Sequence, residues 1–212
     1  MAPIRRRIAR LGRFVESVLG DLWLNVHTRG ALYLARNRGR NQDAVEYDTI
    51  AHSAIKKVMR LVHPGTDDVA YDMGCGKGRV ICHFARRRVR KVVGIEISEE
   101  LCETARANVR RLRNRRSPVE IINADVTLED LSDGTIYYMF HPFGEKTLRE
   151  VLKNIETSHD LTTTKVTVIY VNAQFAHVFE LFPCFQIVHD YQRANGQRVI
   201  IYRSKGLNRE VQ

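Results

Sequence analysis

Long apolar runs are missing from this 212-residue chain. No stretch approaches the ~18 unbroken apolar residues of a membrane-spanning helix. Charges interrupt the apolar positions of the first 26 residues, which argues against a secretory signal. Cysteine is scarce and dispersed. Cys75, Cys82, Cys102 and Cys184 form no C-x-x-C pair and no His-Cys cluster of zinc spacing. That leaves neither a metal site nor a disulfide framework, and implies reduced thiols in a cytoplasmic protein. Internal repeats and low-complexity tracts are also lacking. What remains is ordinary globular material, 44% hydrophobic, of a length that suits one domain with an extension.

Acids are short in one place. Residues 1–40 hold nine arginines against Glu16 and Asp21, so +7 of the net +10 sits there, and the rest of the chain is near balance. Within this arm Ile4, Ile8, Leu11, Val15, Val18, Leu19, Leu22 and Val26 recur at helical spacing. Three readings stay open: a helix packed on the domain or covering its site, a basic arm touching nucleic acid or an acidic membrane surface, and an organelle-targeting segment. Residues 36–43 read as a polar linker. The domain organisation expected is therefore an arm over 1–40, a main domain over 41–205 and a short tail over 206–212.

A helix is expected from about Asp48 to Val62, stopped by His63-Pro64-Gly65. Strands over 68–72, 91–96, 119–123, 135–140, 165–171, 185–190 and 197–203 then alternate with helices near 78–88, 99–114, 145–156 and 174–182. Ser98 can cap the second of these, and Glu99 and Glu100 suit its positive end. Arginines 110, 111, 113, 115 and 116 crowd its far end, either as a solvated helix terminus or as a phosphate-binding patch. Alternation implies an α/β fold: a Rossmann-like, mostly parallel seven-stranded sheet with helices on both faces. Residues 191–196 are too few for a helical crossover, and Asn195-Gly196 is a hairpin signal, so the last strand should run antiparallel.

The chemistry concentrates at 69–80. A buried strand ends in Asp72, and glycine follows at Gly74, Gly76 and Gly78, where a ligand can approach the backbone closely. The next strand ends in Glu96 and the third leads to Asp125. In open parallel sheets ligands bind at such carboxyl ends, where strand order reverses. The helix start near Gly78 favours a carboxylate, Asp72 suits an ammonium, Glu96 can accept two ribose hydroxyls and Asp125 an adenine amino group. These are the parts of S-adenosylmethionine. A nicotinamide dinucleotide fits less well, because G-x-G-x-x-G would place Arg79 where its third glycine belongs. The fourth strand ends in Phe140-His141-Pro142-Phe143, where the methyl group would meet its acceptor.

Asp72-x-Gly74-x-Gly76-x-Gly78, with Glu96 and Asp125, resembles the class I, seven-strand S-adenosylmethionine-dependent methyltransferases over about residues 45–203. The resemblance implies an active enzyme with S-adenosylmethionine as cofactor, and an antiparallel final strand. The run Asp-Met-Gly-Cys-Gly-Lys-Gly-Arg is similar to a subset that includes some protein-lysine methyltransferases. At the fourth motif the chain departs from the Asn/Asp-Pro-Pro-Tyr/Phe of many amino-group enzymes. It keeps a proline and the aromatic, so His141 stands as acceptor or general base and Phe143 as a wall beside the acceptor. The acceptor is open between a protein amine, a small molecule and, through the basic arm, RNA. A non-catalytic subunit that retains the fold is the rival from another class.

Overall fold

The computed structural model describes residues 2–30 and 50–206, with the side chains of the first helix described from Leu11 onward. Helix α1 spans Ala2–Leu24 and α2 spans His52–Val62. Then come β1 (Val69–Met73), α3 (Arg79–Phe84), β2 (Lys91–Glu96), α4 (Glu99–Arg111), β3 (Val119–Asn123), β4 (Ile136–Phe140), α5 (Glu145–Ser158), β5 (Thr167–Val171), β6 (Phe185–Gln192) and β7 (Arg198–Ser204). Every strand expected from the sequence is present within two residues. Two helices differ. Residues 174–182 form a short 3-10 turn over Ala176–Leu181, and α3 ends at Phe84 because Ala85 begins the turn toward β2. Helix α2 starts at His52, after Ala51 in extended conformation. The linker at 36–43, the boundary between residues 40 and 41, positions 48 and 49, and residues 207–212 lie outside the described residues.

The seven strands form one sheet of order β3-β2-β1-β4-β5-β7-β6. Pairs β1–β2, β1–β4, β2–β3 and β4–β5 are parallel, while β7 runs antiparallel to both β5 and β6. The hairpin between β6 and β7 turns at Gly196, at a φ of 87°. All five residues of β1 and of β5 are buried. That is the signature of strands covered on both faces rather than one. One apolar cluster joins Tyr71, Met73 and Tyr137 to α5, and the other joins Ala70, Val92 and Tyr138 to α2, α3 and α4. Strand order reverses between β2 and β4 around β1, which puts the crevice at the end of β1.

Candidate functional site

The residues after β1 turn sharply at that crevice. Gly74, Gly76 and Gly78 have φ of 75°, 53° and 78°, the left-handed region that side chains resist. Gly74 is also sterically obligatory: a Cβ there would lie 2.5 Å from Cβ of Pro142. The turn is tied to β2, since Gly74 N–H and Cys75 N–H both donate to the Ile95 carbonyl, at 2.9 and 3.0 Å. Helix α3 begins directly behind it.

Asp72 and Glu96 flank this turn, and both are buried. The Glu96 carboxylate accepts from Gly76 N–H at 2.9 Å and from Ser98 N–H at 3.0 Å, one bond to each oxygen. Burial nevertheless raises its pKa above the ordinary carboxylate range, against those backbone bonds. Asp72 is pushed well above its usual value, first by burial and then by the charge of Glu96; only the Ile81 N–H opposes. Its Oδ2 is buried without a hydrogen-bond partner. An orphaned buried carboxylate oxygen is costly, and here it lies beside a second buried acid.

Asp125 stands one strand further out. Ala124 N–H donates to the Glu96 carbonyl at 3.1 Å, which places Asp125 next to the end of β2. Its Oδ1 accepts from Thr127 N–H at 3.0 Å and from Thr127 Oγ1 at 2.9 Å, so it also caps the 3-10 turn Val126–Leu128.

His141 and Phe143 occupy the loop after β4 and differ in setting. His141 holds a φ of 43°, an uncommon conformation for a non-glycine residue. Its Nδ1 lies 3.1 Å from Tyr170 Oη, and its ring stands beside Phe175 with centroids 5.2 Å apart. Burial lowers its pKa below the free imidazole value, so the neutral ring is favoured. Phe143 packs in the apolar cluster with Met73 and Leu148. Pro142 between them rests on Gly74. The glycine turn and the loop after β4 are thus one packed unit.

A second set of residues at this site is not visible in the sequence motif. The segment after α1 runs alongside the glycine turn: Lys77 Nζ donates to the carbonyls of Arg29 at 2.7 Å and Gly30 at 3.0 Å. Asn108 of α4 binds His27 through both backbone groups and also donates to the Lys77 carbonyl at 2.9 Å. Arg79, the first residue of α3, is buried and donates to Thr28 Oγ1, the Ile50 carbonyl and Ser17 Oγ, at 2.6, 2.8 and 2.8 Å. The first of the three readings of the arm therefore describes residues 17–30: they pack on the domain beside its site. The signal available in the sequence was a pair of isolated acids, Glu16 and Asp21, on an otherwise basic helix. Asp21 is 1% exposed and meets His52, Thr28 and Arg79.

Residues 70–158 match the family model of the methyltransferase domain. A protein-lysine N-methyltransferase of Saccharolobus islandicus is 30% identical over 97 residues, which are 45% of this chain and 60% of that protein. An RNA methyltransferase from Salinibacter ruber, solved with S-adenosyl-L-homocysteine, superposes with a TM-score of 0.58 at 18% identity, covering 78% of this chain and 99% of that one. A precorrin 8W decarboxylase from Methanobacterium thermoautotrophicum superposes with a TM-score of 0.54 at 21% identity, covering 74% and 92%. The chain thus matches less than two thirds of the length of the Saccharolobus relative. Sheet order, the antiparallel β7 and the glycine turn after β1 agree with the family match: residues 70–158 are similar to methyltransferase domains, and the chain has the seven-strand, Rossmann-like fold of the solved S-adenosylmethionine-dependent methyltransferases.

Proposed function

We propose that the chain transfers a methyl group from S-adenosylmethionine to an amine, with a protein lysine as the acceptor. The observation that carries the donor is the pairing of Asp72 with Glu96 around a turn that tolerates no side chain at position 74. The residues present fit this cofactor: Asp72 Oδ2 lacks a partner, both Glu96 oxygens retain acceptor capacity, and the cradle is bare backbone. Gly76 and Gly78, at the start of α3, would cradle the carboxylate end. Asp72 would face the ammonium, Glu96 the ribose hydroxyls and Asp125 the adenine amino group.

When bound, the cofactor supplies an activated methyl on a sulfonium. The chain's own work is to align and desolvate. The Pro142–Gly74 contact sets the distance between donor cradle and acceptor loop. A lysine ammonium must lose a proton before its lone pair can attack. His141, buried and biased to the neutral form, would take it on Nε2 in the tautomer whose Nδ1–H donates to Tyr170 Oη. Phe143, held in the core, would act by fixing this loop rather than by touching the acceptor. A lysine is favoured over RNA by the likeness to the Saccharolobus enzyme and by the fit of His141 to a protonated acceptor.

Calorimetry with S-adenosylhomocysteine tests the donor, and failure to bind at millimolar concentration refutes it. Labelled methyl donor in a cell extract tests the acceptor. Label that survives ribonuclease and is released by protease supports a protein amine, and the reverse pattern overturns it.

A further inference from the structure

A cavity of about 410 Å³ opens away from the methyl-donor crevice. It is lined by Trp23, Lys56, Arg60, His83, Arg86, Arg87, Asn114 and Arg116. Helix α3 starts at the glycine turn and runs back along the sheet, so Arg86, just past its end, lies on the order of 12 Å from Gly78 at 1.5 Å per residue. Asn114 and Arg116 follow α4, which also starts at the donor end. The cavity therefore sits at the amino-end edge of the strands.

Its construction comes from three tethers. Arg113 N–H donates to the Leu24 carbonyl at 3.0 Å and Asn25 Nδ2 to the Arg111 carbonyl at 2.8 Å, which fasten the end of α1 to the end of α4. Arg116 N–H donates to the Ala85 carbonyl at 2.7 Å, which brings the α4 loop against the end of α3. Trp23 is thereby stationed over the mouth, with the Arg86 guanidinium 3.7 Å from its ring centroid and Lys56 Nζ at 4.5 Å.

The charge here is unbalanced. Five cations and no acid line the cavity, and among the described residues none of the five has an ion pair. Arg86 Nη1 is buried with no hydrogen-bond partner. Guanidinium groups crowded to the point of mutual repulsion, one of them with an unmet donor, are what an anion relieves. Arginines from α2, from the end of α3 and from the loop after α4 line one open cavity beside an aromatic ring.

We infer that this cavity is a binding site for a phosphate-bearing ligand of about nucleotide size, separate from the methyl-donor site. Arg86, held against the Trp23 ring, and Arg60, Arg87 and Arg116 supply the positive charge that would meet the phosphate. The volume lies within the range of small-molecule sites. The phosphate can come from a free nucleotide or from one unit of a single strand, since the recognising groups are the same. The inference does not depend on the methyl acceptor.

Trp23 is the one tryptophan of the chain, so its fluorescence reports on this cavity alone. The full chain is titrated at low salt with tripolyphosphate, with uridine monophosphate and with a decauridylate strand. A saturable change is expected, weakening steeply as salt is added. Reversing the exposed charges in Arg60→Glu/Arg87→Glu should weaken binding by about tenfold or more while leaving S-adenosylhomocysteine affinity unchanged, which confirms that the variant folds. Saturation by the mononucleotide assigns a free ligand, and saturation by the strand alone assigns a nucleic acid. No saturation by any of the three up to millimolar concentration overturns the inference. So does undiminished binding to the charge-reversed variant.

Discussion

Asp21 accepts a hydrogen bond from His52 across 3.1 Å, and through the other nitrogen of that ring, 2.9 Å from His83 Nε2, the carboxylate of α1 is joined to α3. Gly20 makes room for this, because a Cβ there would lie 2.1 Å from the His52 ring. Burial works to raise the Asp21 pKa, but bonds from His52 and Thr28 and the charge of Arg79 outweigh it and bring it to about 2. The cluster is a buried, satisfied ionic knot that fastens the arm to the helix behind the glycine turn.

Removing its one carboxylate should be costly. Asp21→Ala removes the acceptor of Thr28 and His52 and the counter-charge of buried Arg79, and chemical denaturation should register a loss of about 3 kcal/mol or more. An exposed substitution such as Leu11→Ala should change stability little. Because the folded pKa of Asp21 lies below its unfolded value of 3.8, its contribution is full above pH 3.8 and is lost as pH falls toward 2. Asp21→Ala should therefore flatten the acid limb of the stability profile in that window.

Alternating strands and helices made the sheet legible, since a buried five-residue strand followed by a polar turn has few other destinies. The acids at 72 and 96 were legible because each closes an apolar run. The knot was not, because Asp21, His52 and Arg79 are far apart in sequence and each looks solvated alone. Phe143 shows the same limit. An aromatic after a proline can face a ligand or the core, and the sequence does not show that Phe143 is buried in the apolar cluster that includes Met73 and Leu148. The arginines after α4 left two readings open because a charge run does not reveal whether its members converge.

Asp72 carries an opposed pair of effects. Its folded pKa lies well above 3.8, so its influence on stability is favourable below that value and is lost as pH rises through the folded pKa. Near neutral pH, Asp72→Asn should melt no lower than the parent, since the Ile81 N–H still finds an acceptor. Affinity for S-adenosylhomocysteine should fall about tenfold, as expected when a charge-assisted bond is lost. Calorimetry in buffers of different ionisation enthalpy should show proton release on binding to the parent and less to the variant. A variant that both melts lower and binds equally well would contradict the assignment.

Gly74 and Pro142 make a sharper steric test. Gly74→Ala forces a side chain into the left-handed region, at about 1 kcal/mol, and drives a methyl into Pro142. Stability should fall by about 2 kcal/mol in all. Pro142→Ala shortens the obstructing ring but leaves the Cβ that lies 2.5 Å away, so the double variant should recover only part of the loss. Thermal melts of the two single variants and the double variant supply the cycle.

His141 is tested by separating its backbone from its ring. At φ 43° asparagine is tolerated better than most residues, so His141→Asn should fold like the parent while lacking a titratable group. If the ring takes the proton of a lysine ammonium, His141→Asn should lower kcat by a factor of about 100 with KM little changed, and the rate should climb with pH as free amine becomes available. Burial lowers the His141 pKa below 6.5, so the acid limb of the parent's kcat should break below that value and vanish in the variant. Tyr170→Phe removes the oxygen 3.1 Å from Nδ1 and should move the break while costing less in rate. An unchanged kcat in His141→Asn would reduce the ring to packing against Phe175 and return the choice of acceptor atom to the labelling experiment.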